Sequence, residues 1–190
     1  MRKLSAVCVY CGSREGIEPA FLREAEALGQ ALALAKIKLV YGGASIGMMG
    51  TIARSVLQHG GHVTGIIPKF LTALETPLEG VNERILTEDM HQRKQIMFNR
   101  ADAFVVMPGG IGTLEEAFEM LTWRQLHRHR KPIVFVNIKG YWDSLIALFD
   151  HVVDMGFAHD DLVGFYSVVN AADDVIPAIE KALALLQPAE

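Results

Sequence analysis

Ala103-Phe104-Val105-Val106-Met107-Pro108-Gly109-Gly110-Ile111-Gly112-Thr113-Leu114-Glu115-Glu116 contains an apolar run, a glycine turn and the start of a helical pattern. The run Ala103–Met107 is apolar throughout rather than alternating, which is the pattern of a parallel strand covered on both faces. Pro108 and three glycines in four positions then break the strand, and a helical pattern over Thr113–Leu126 follows. Strand, tight turn and helix in that order is the repeating unit of an α/β sheet.

The same alternation runs outward in both directions. Strands are expected at Ser5–Tyr10, Ile37–Tyr41, His62–Ile67, Arg84–Leu86, Pro132–Asn137 and Phe165–Val169. Helices are expected at Pro19–Ala35, Gly47–His59, Asp89–Arg100, Tyr141–Met155 and Asp173–Leu186. In the first of these, Phe21, Ala25, Leu28 and Leu32 recur at three- and four-residue steps and form one apolar stripe. Alternating β and α units with right-handed crossovers predict a doubly wound, Rossmann-like parallel sheet, a single three-layer domain over residues 1–190. The 190 residues suit one core.

In such a sheet, ligands bind beyond the carboxyl ends of the strands. The chain's 17 glycines gather there: Gly12 after the first strand, Gly42 and Gly43 after the second, Gly109 and Gly110 after the fifth. Pro108–Glu116 has the physics of a phosphate cradle, with free amides, a helix dipole and the Thr113 hydroxyl. A plain tight turn with Thr113 as N-cap and glutamates in the first helical turn is the competing reading. Tyr41-Gly42-Gly43-Ala44-Ser45-Ile46-Gly47-Met48-Met49-Gly50 lacks both the G-x-G-x-x-G spacing and a P-loop lysine. It is read as a close-approach turn against a sugar or base, with Gly50 serving helix packing. In Met90-His91-Gln92-Arg93-Lys94, Arg93 shares a helical face with Met97 and Arg100, so two guanidinium groups are expected to face the sheet edge.

Other features bound the function. Charged residues make up 21% of the chain and the net charge is −4, which argues against a nucleic-acid partner. No apolar run of about 18 residues exists, so no membrane partner is expected. Cys8 and Cys11 are the two cysteines. Cys8 lies inside a strand, so neither a redox pair nor a zinc site is supported, and a cytoplasmic location is expected. His127-Arg128-His129-Arg130-Lys131 reads as an exposed basic loop.

Pro108–Glu116, Met90–Lys94, Tyr41–Gly50 and Cys8–Ser13 together resemble the LONELY GUY family, formerly labelled "possible lysine decarboxylase", over essentially the whole chain. No setting for a pyridoxal-phosphate lysine is visible, so the older label fits poorly. The resemblance implies a cytokinin riboside 5′-monophosphate phosphoribohydrolase, which releases free base and ribose 5-phosphate from a nucleoside monophosphate. It implies Arg93 and Glu116 as the catalytic pair. It implies substrate contacts from Glu75, Arg93 and Lys94, from Gly109, Gly110, Ile111, Gly112, Thr113, Leu114 and Glu115, and from Thr122. Ser13, Gly43 and Met90, within the quoted motifs, complete the expected contact set. Ala44 departs from the third glycine of many relatives. Neither metal nor cofactor is expected, and the resemblance implies a homodimer. A nucleotide or molybdenum-cofactor carrier without turnover is the alternative.

Overall fold

The computed structural model describes residues 4–73 and 76–186. Within them the strands are β1 (Ala6–Tyr10), β2 (Lys38–Tyr41), β3 (Val63–Pro68), β4 (Glu83–Thr87), β5 (Ala103–Val106), β6 (Ile133–Val136) and β7 (Ser167–Val169). The α-helices are α1 (Pro19–Leu34), α2 (Gly47–Gln58), α3 (Met90–Arg100), α4 (Ile111–Gln125), α5 (Asp143–Asp154) and α6 (Val175–Leu185). The expected elements are all present, with ends that differ by a few residues.

The strands form one parallel sheet in the order β4-β3-β2-β1-β5-β6-β7. Successive residues of β1 point to opposite faces, and each face has its own core. Val7 and Val9 pack with α1, α2 and α6, including Leu28, Leu32, Ile52 and Ile179. Ala6, Cys8 and Tyr10 pack with α3, α4 and α5, including Met97, Met120 and Phe149. The stripe Phe21, Ala25, Leu28 and Leu32 is buried, as its spacing requires. Pro19 opens α1, where its missing N–H costs nothing. Continuous burial holds for β1, β3, β5 and β6 but not for β4 and β7, which lie at the sheet edges and cover only part of their surface.

The strand order reverses at β1, which lies between β2 and β5. A crevice opens at that reversal, beyond the carboxyl ends of β1 and β5. The Gly12 turn and the Gly109 turn meet there, and the Gly12 amide donates to the Pro108 carbonyl (3.0 Å).

Two local expectations are corrected. The segment from His127 to Lys131 is not uniformly exposed: His129 is buried, with its imidazole Nε2 2.9 Å from the Met120 carbonyl. Burial pushes that imidazole's pKa down. Lys131 lies with its ammonium 4.0 Å from the Phe98 ring centre, a cation–π contact. Arg100 does not join Arg93 at the crevice. It pairs with Glu83 at the opposite end of the sheet, because Arg100 ends α3 while Arg93 begins it.

Among the described residues, no helix is long and apolar enough to cross a membrane.

Candidate active site

Helix α4 begins at Ile111 with Gly110 as its N-cap, and no side chain caps it. The first amides of an α-helix lack partners within the helix, so a bare N-cap leaves donors available. Thr113 is therefore the third residue of the helix rather than its cap, and the glutamates fall in the second turn. Extended backbone at Gly110 brings the chain into the helix earlier than the sequence pattern indicates.

A cavity of about 780 Å³ lies in front of this helix end, over the crevice between β1 and β5. Of the expected site residues, Ser13, Met90, Arg93, Gly109, Gly110, Ile111, Gly112, Thr113, Glu115 and Glu116 line it. Gly110 and Gly112 face it with open space: a Cβ on either would meet no heavy atom within 4 Å. Packing among the described residues therefore gives no reason for glycine at these two positions. Both leave their faces open to the cavity.

The glycines after β2 behave differently. A Cβ on Gly42 would collide with the guanidinium of Arg93, so this glycine makes room for a side chain of the protein. Gly43 has φ +87, and its carbonyl accepts from the Leu78 amide (3.1 Å). Its Cα side faces Ile67 rather than the cavity. A Cβ on Gly50 would collide with the Ser45 carbonyl, in keeping with a packing role. Gly42 thus moulds the seat of Arg93, while Met48 and Met49 of the same stretch line the cavity.

Arg93 is 6% exposed, near the start of α3. Its Nε donates to the Ile66 carbonyl within β3 (3.2 Å). Its Nη2 donates to the Gly42 carbonyl (3.4 Å), which leaves Nη1 facing Oε1 of Glu116 across 3.8 Å. That gap exceeds ordinary hydrogen-bond length, so the ion pair does not use up the carboxylate.

Glu116 is 8% exposed. Burial, the largest cause, pushes its carboxyl up from 4.5 to about 7. The Arg93 and Lys94 charges pull it down, while Glu115 and Glu119 push it up. Cys8 and Tyr10 on β1 and Cys11 just beyond it lie close enough to sense its charge, and burial drives all three well above their usual values. Near neutrality Glu116 exists in both charge states, which suits it to accept or hold a proton.

Four expected contacts lie elsewhere. Gly43 is turned away as described. Leu114 packs into the core beneath α4. Thr122 is exposed, six residues beyond Glu116, or about 9 Å along the helix. Lys94 is rotated away from Arg93 and donates to Glu115 and Glu119. Glu75 falls outside the described residues.

Tyr141 joins the cavity wall although no motif marks it. Its hydroxyl donates to the Gly109 carbonyl (2.6 Å), and its ring meets Phe21 edge-on at 5.5 Å. The turn that places it uses Lys139 and Gly140 at φ +55 and +74, braced by Asn137 donating to Asp143 (2.7 Å). The discoverable signal was the position of Lys139-Gly140 just beyond β6, on the same sheet edge as the other glycine turns.

Sequence and structure comparisons extend this geometry. The sequence profile of the family described as "possible lysine decarboxylase" matches residues 49–179. A cytokinin riboside 5′-monophosphate phosphoribohydrolase of Arabidopsis thaliana is 46% identical over 155 residues, covering 82% of this chain and 71% of that protein. A second from the same plant is 42% identical over 186 residues, covering 94% and 87%. Among solved structures, the molybdenum cofactor binding protein of Rippkaea orientalis matches with a TM-score of 0.72 at 21% identity, over 96% of this chain and 99% of that one. At that identity the likeness concerns the fold alone.

Proposed function

This chain belongs to the family of the cytokinin riboside 5′-monophosphate phosphoribohydrolases, whose profile carries the description "possible lysine decarboxylase", and from that premise we propose that it hydrolyses the N-glycosidic bond of purine nucleoside 5′-monophosphates. The products are free base and ribose 5-phosphate. AMP and N6-substituted cytokinin nucleotides are the proposed substrates, and the whole chain serves as one nucleotide-binding hydrolase domain. The observation that carries this reading is the Arg93–Glu116 pair, buried at the foot of a cavity that also holds the uncapped end of α4.

The mechanism follows from placement. The 5′-phosphate sits against the amides opening α4, where the dipole and the open faces of Gly110 and Gly112 receive it. That anchor brings the sugar carbon toward Glu116. As the bond to the base breaks, the sugar gains oxocarbenium character, and a nearby carboxylate stabilises it. Glu116 also takes the proton from the attacking water, a role its titration near 7 favours. Arg93, held by two backbone carbonyls, orients the nucleotide and offsets charge on the departing base, which takes up a proton from solvent as Glu116 gives its own back. A guanidinium binds its protons firmly, so it acts here as a fixed charge rather than an acid. Positioning and preorganised charge of this kind supply most of an enzyme's rate gain.

The carrier reading draws on fold likeness at 21% identity and gives no task to a buried carboxylate beside a phosphate cradle. Incubation of the protein with AMP and N6-substituted monophosphates, with chromatography of the products, decides between the two. Release of base and ribose 5-phosphate by wild type, absent in E116Q, supports the hydrolase; tight nucleotide binding without release supports the carrier. A cytoplasmic homodimer is the proposed working form. Exposed apolar side chains on α4 and α5, among them Phe118 and Leu148, support such a partner surface.

A further inference from the structure

Helix α4 carries three carboxylates within five residues, Glu115, Glu116 and Glu119. Glu115 and Glu119 are one helical turn apart and share a face. Lys94 reaches both from α3: its ammonium donates to Glu115 and, at 3.1 Å, to Glu119. Its side chain is only 8% exposed, and the cavity wall does not include it among the described residues. Arg93 and Lys94 are adjacent in sequence yet address different carboxylates, Arg93 facing Glu116 and Lys94 its two neighbours.

We infer that Lys94 is a positioning residue: by bridging Glu115 and Glu119 it cancels the negative charge flanking Glu116 and so sets the pH at which Glu116 becomes an anion, without touching substrate. The inference rests on the hydrolase reading for its kinetic consequence but not for its electrostatic one. The charged and titratable groups facing Glu116 are Arg93 and Lys94 on α3, Glu115 and Glu119 on α4, Cys8 and Tyr10 on β1, and Cys11 just after β1. Cys8, Tyr10 and Cys11 stay neutral near pH 7, because burial raises all three. The balance at Glu116 is therefore two cations against two neighbouring anions. Loss of Lys94 leaves one cation against two.

The test is the pH profile of kcat/KM on AMP for wild type, K94M, K94R and E119Q. K94M is expected to move the acid limb upward by roughly one pH unit, with activity restored at high pH and KM there unchanged. K94R keeps the wild-type limb. E119Q moves it downward, because one opposing anion is gone; this variant carries the test should K94M fail to fold. A K94M protein with the wild-type limb and a raised KM makes Lys94 a substrate contact and overturns the inference. A uniform loss at every pH with the limb unmoved overturns it in favour of a purely structural role. Carbon-13 NMR titration of the Glu116 carboxyl, assigned by its disappearance in E116Q, reads the same shift without catalysis. If wild type releases no adenine from AMP, the hydrolase reading fails, and the NMR titration still decides the role of Lys94.

Discussion

Gly42 and Gly110 each follow an inner strand, each precede a helix, and each lie on the carboxyl edge of the sheet. Added methyl groups would nevertheless meet opposite surroundings. At Gly42 the methyl would run into the Arg93 guanidinium; at Gly110 it would enter open space in the cavity. The turn after β2 is shaped by the protein's own side chain; in the turn after β5, Gly109 makes room for Thr113 while Gly110 is left open to the cavity. A glycine cluster in a sequence thus records a close approach, but only the fold tells what is approaching.

The most damaging substitution is expected where the two turns converge. E116Q should lower hydrolysis about 10³-fold, measured as adenine release from AMP, while the protein remains folded. Its stability should also change with pH. A carboxyl raised from 4.5 to about 7 destabilises the fold in its charged form by about 3 kcal/mol. That penalty grows as pH rises from the unfolded to the folded value and is complete above about 7. E116Q should therefore melt higher than wild type at pH 8 and match it near pH 4. Equal melting curves at pH 8 would contradict the burial argument.

The next effect separates the turns themselves. G42A should displace Arg93, cutting activity about 100-fold and stability by about 1–3 kcal/mol. G110A and G112A should keep or raise the melting temperature, since alanine favours a helix by up to about 1 kcal/mol over glycine at position 112, yet lose affinity for ribose 5-phosphate. Calorimetric titration with ribose 5-phosphate reads this directly. Weak binding in G42A with intact binding in G110A would invert the comparison.

In wild type, kcat/KM on AMP should fall tenfold per pH unit below about 7, the region where Glu116 gains its proton. A limb near 4.5 would mean that substrate or solvent restores ordinary titration. The smallest expected effect is at Tyr141. Y141F removes the bond to the Gly109 carbonyl and should raise KM a few-fold, about the value of one hydrogen bond, with kcat little changed.

The fold was largely legible because buried parallel strands leave uninterrupted apolar runs. The core-facing stripe of α1 could likewise be read directly. Arg93 and Glu116 were reachable because both sit in dense motifs whose resemblance to a known family is specific. Lys94 illustrates the limit: the resemblance groups it with Arg93, but a rotation of about 100° per helical residue sends the two side chains to different partners. Arg100 shows the reverse error, since a shared helical face does not place residues at the same end of a sheet. Tyr141 belongs to no motif. Its role depends on a carbonyl 32 residues away, and such a pairing has no local trace.

The bond from Arg93 to the Gly42 carbonyl couples two distant positions of the chain. Positions 42 and 93 lie 51 residues apart, yet the space one leaves is the space the other fills. A larger residue at position 42 is therefore expected to push the end of the Arg93 side chain out of its seat. Substitutions at the two positions are expected to be non-additive, with G42A costing less once Arg93 has been shortened.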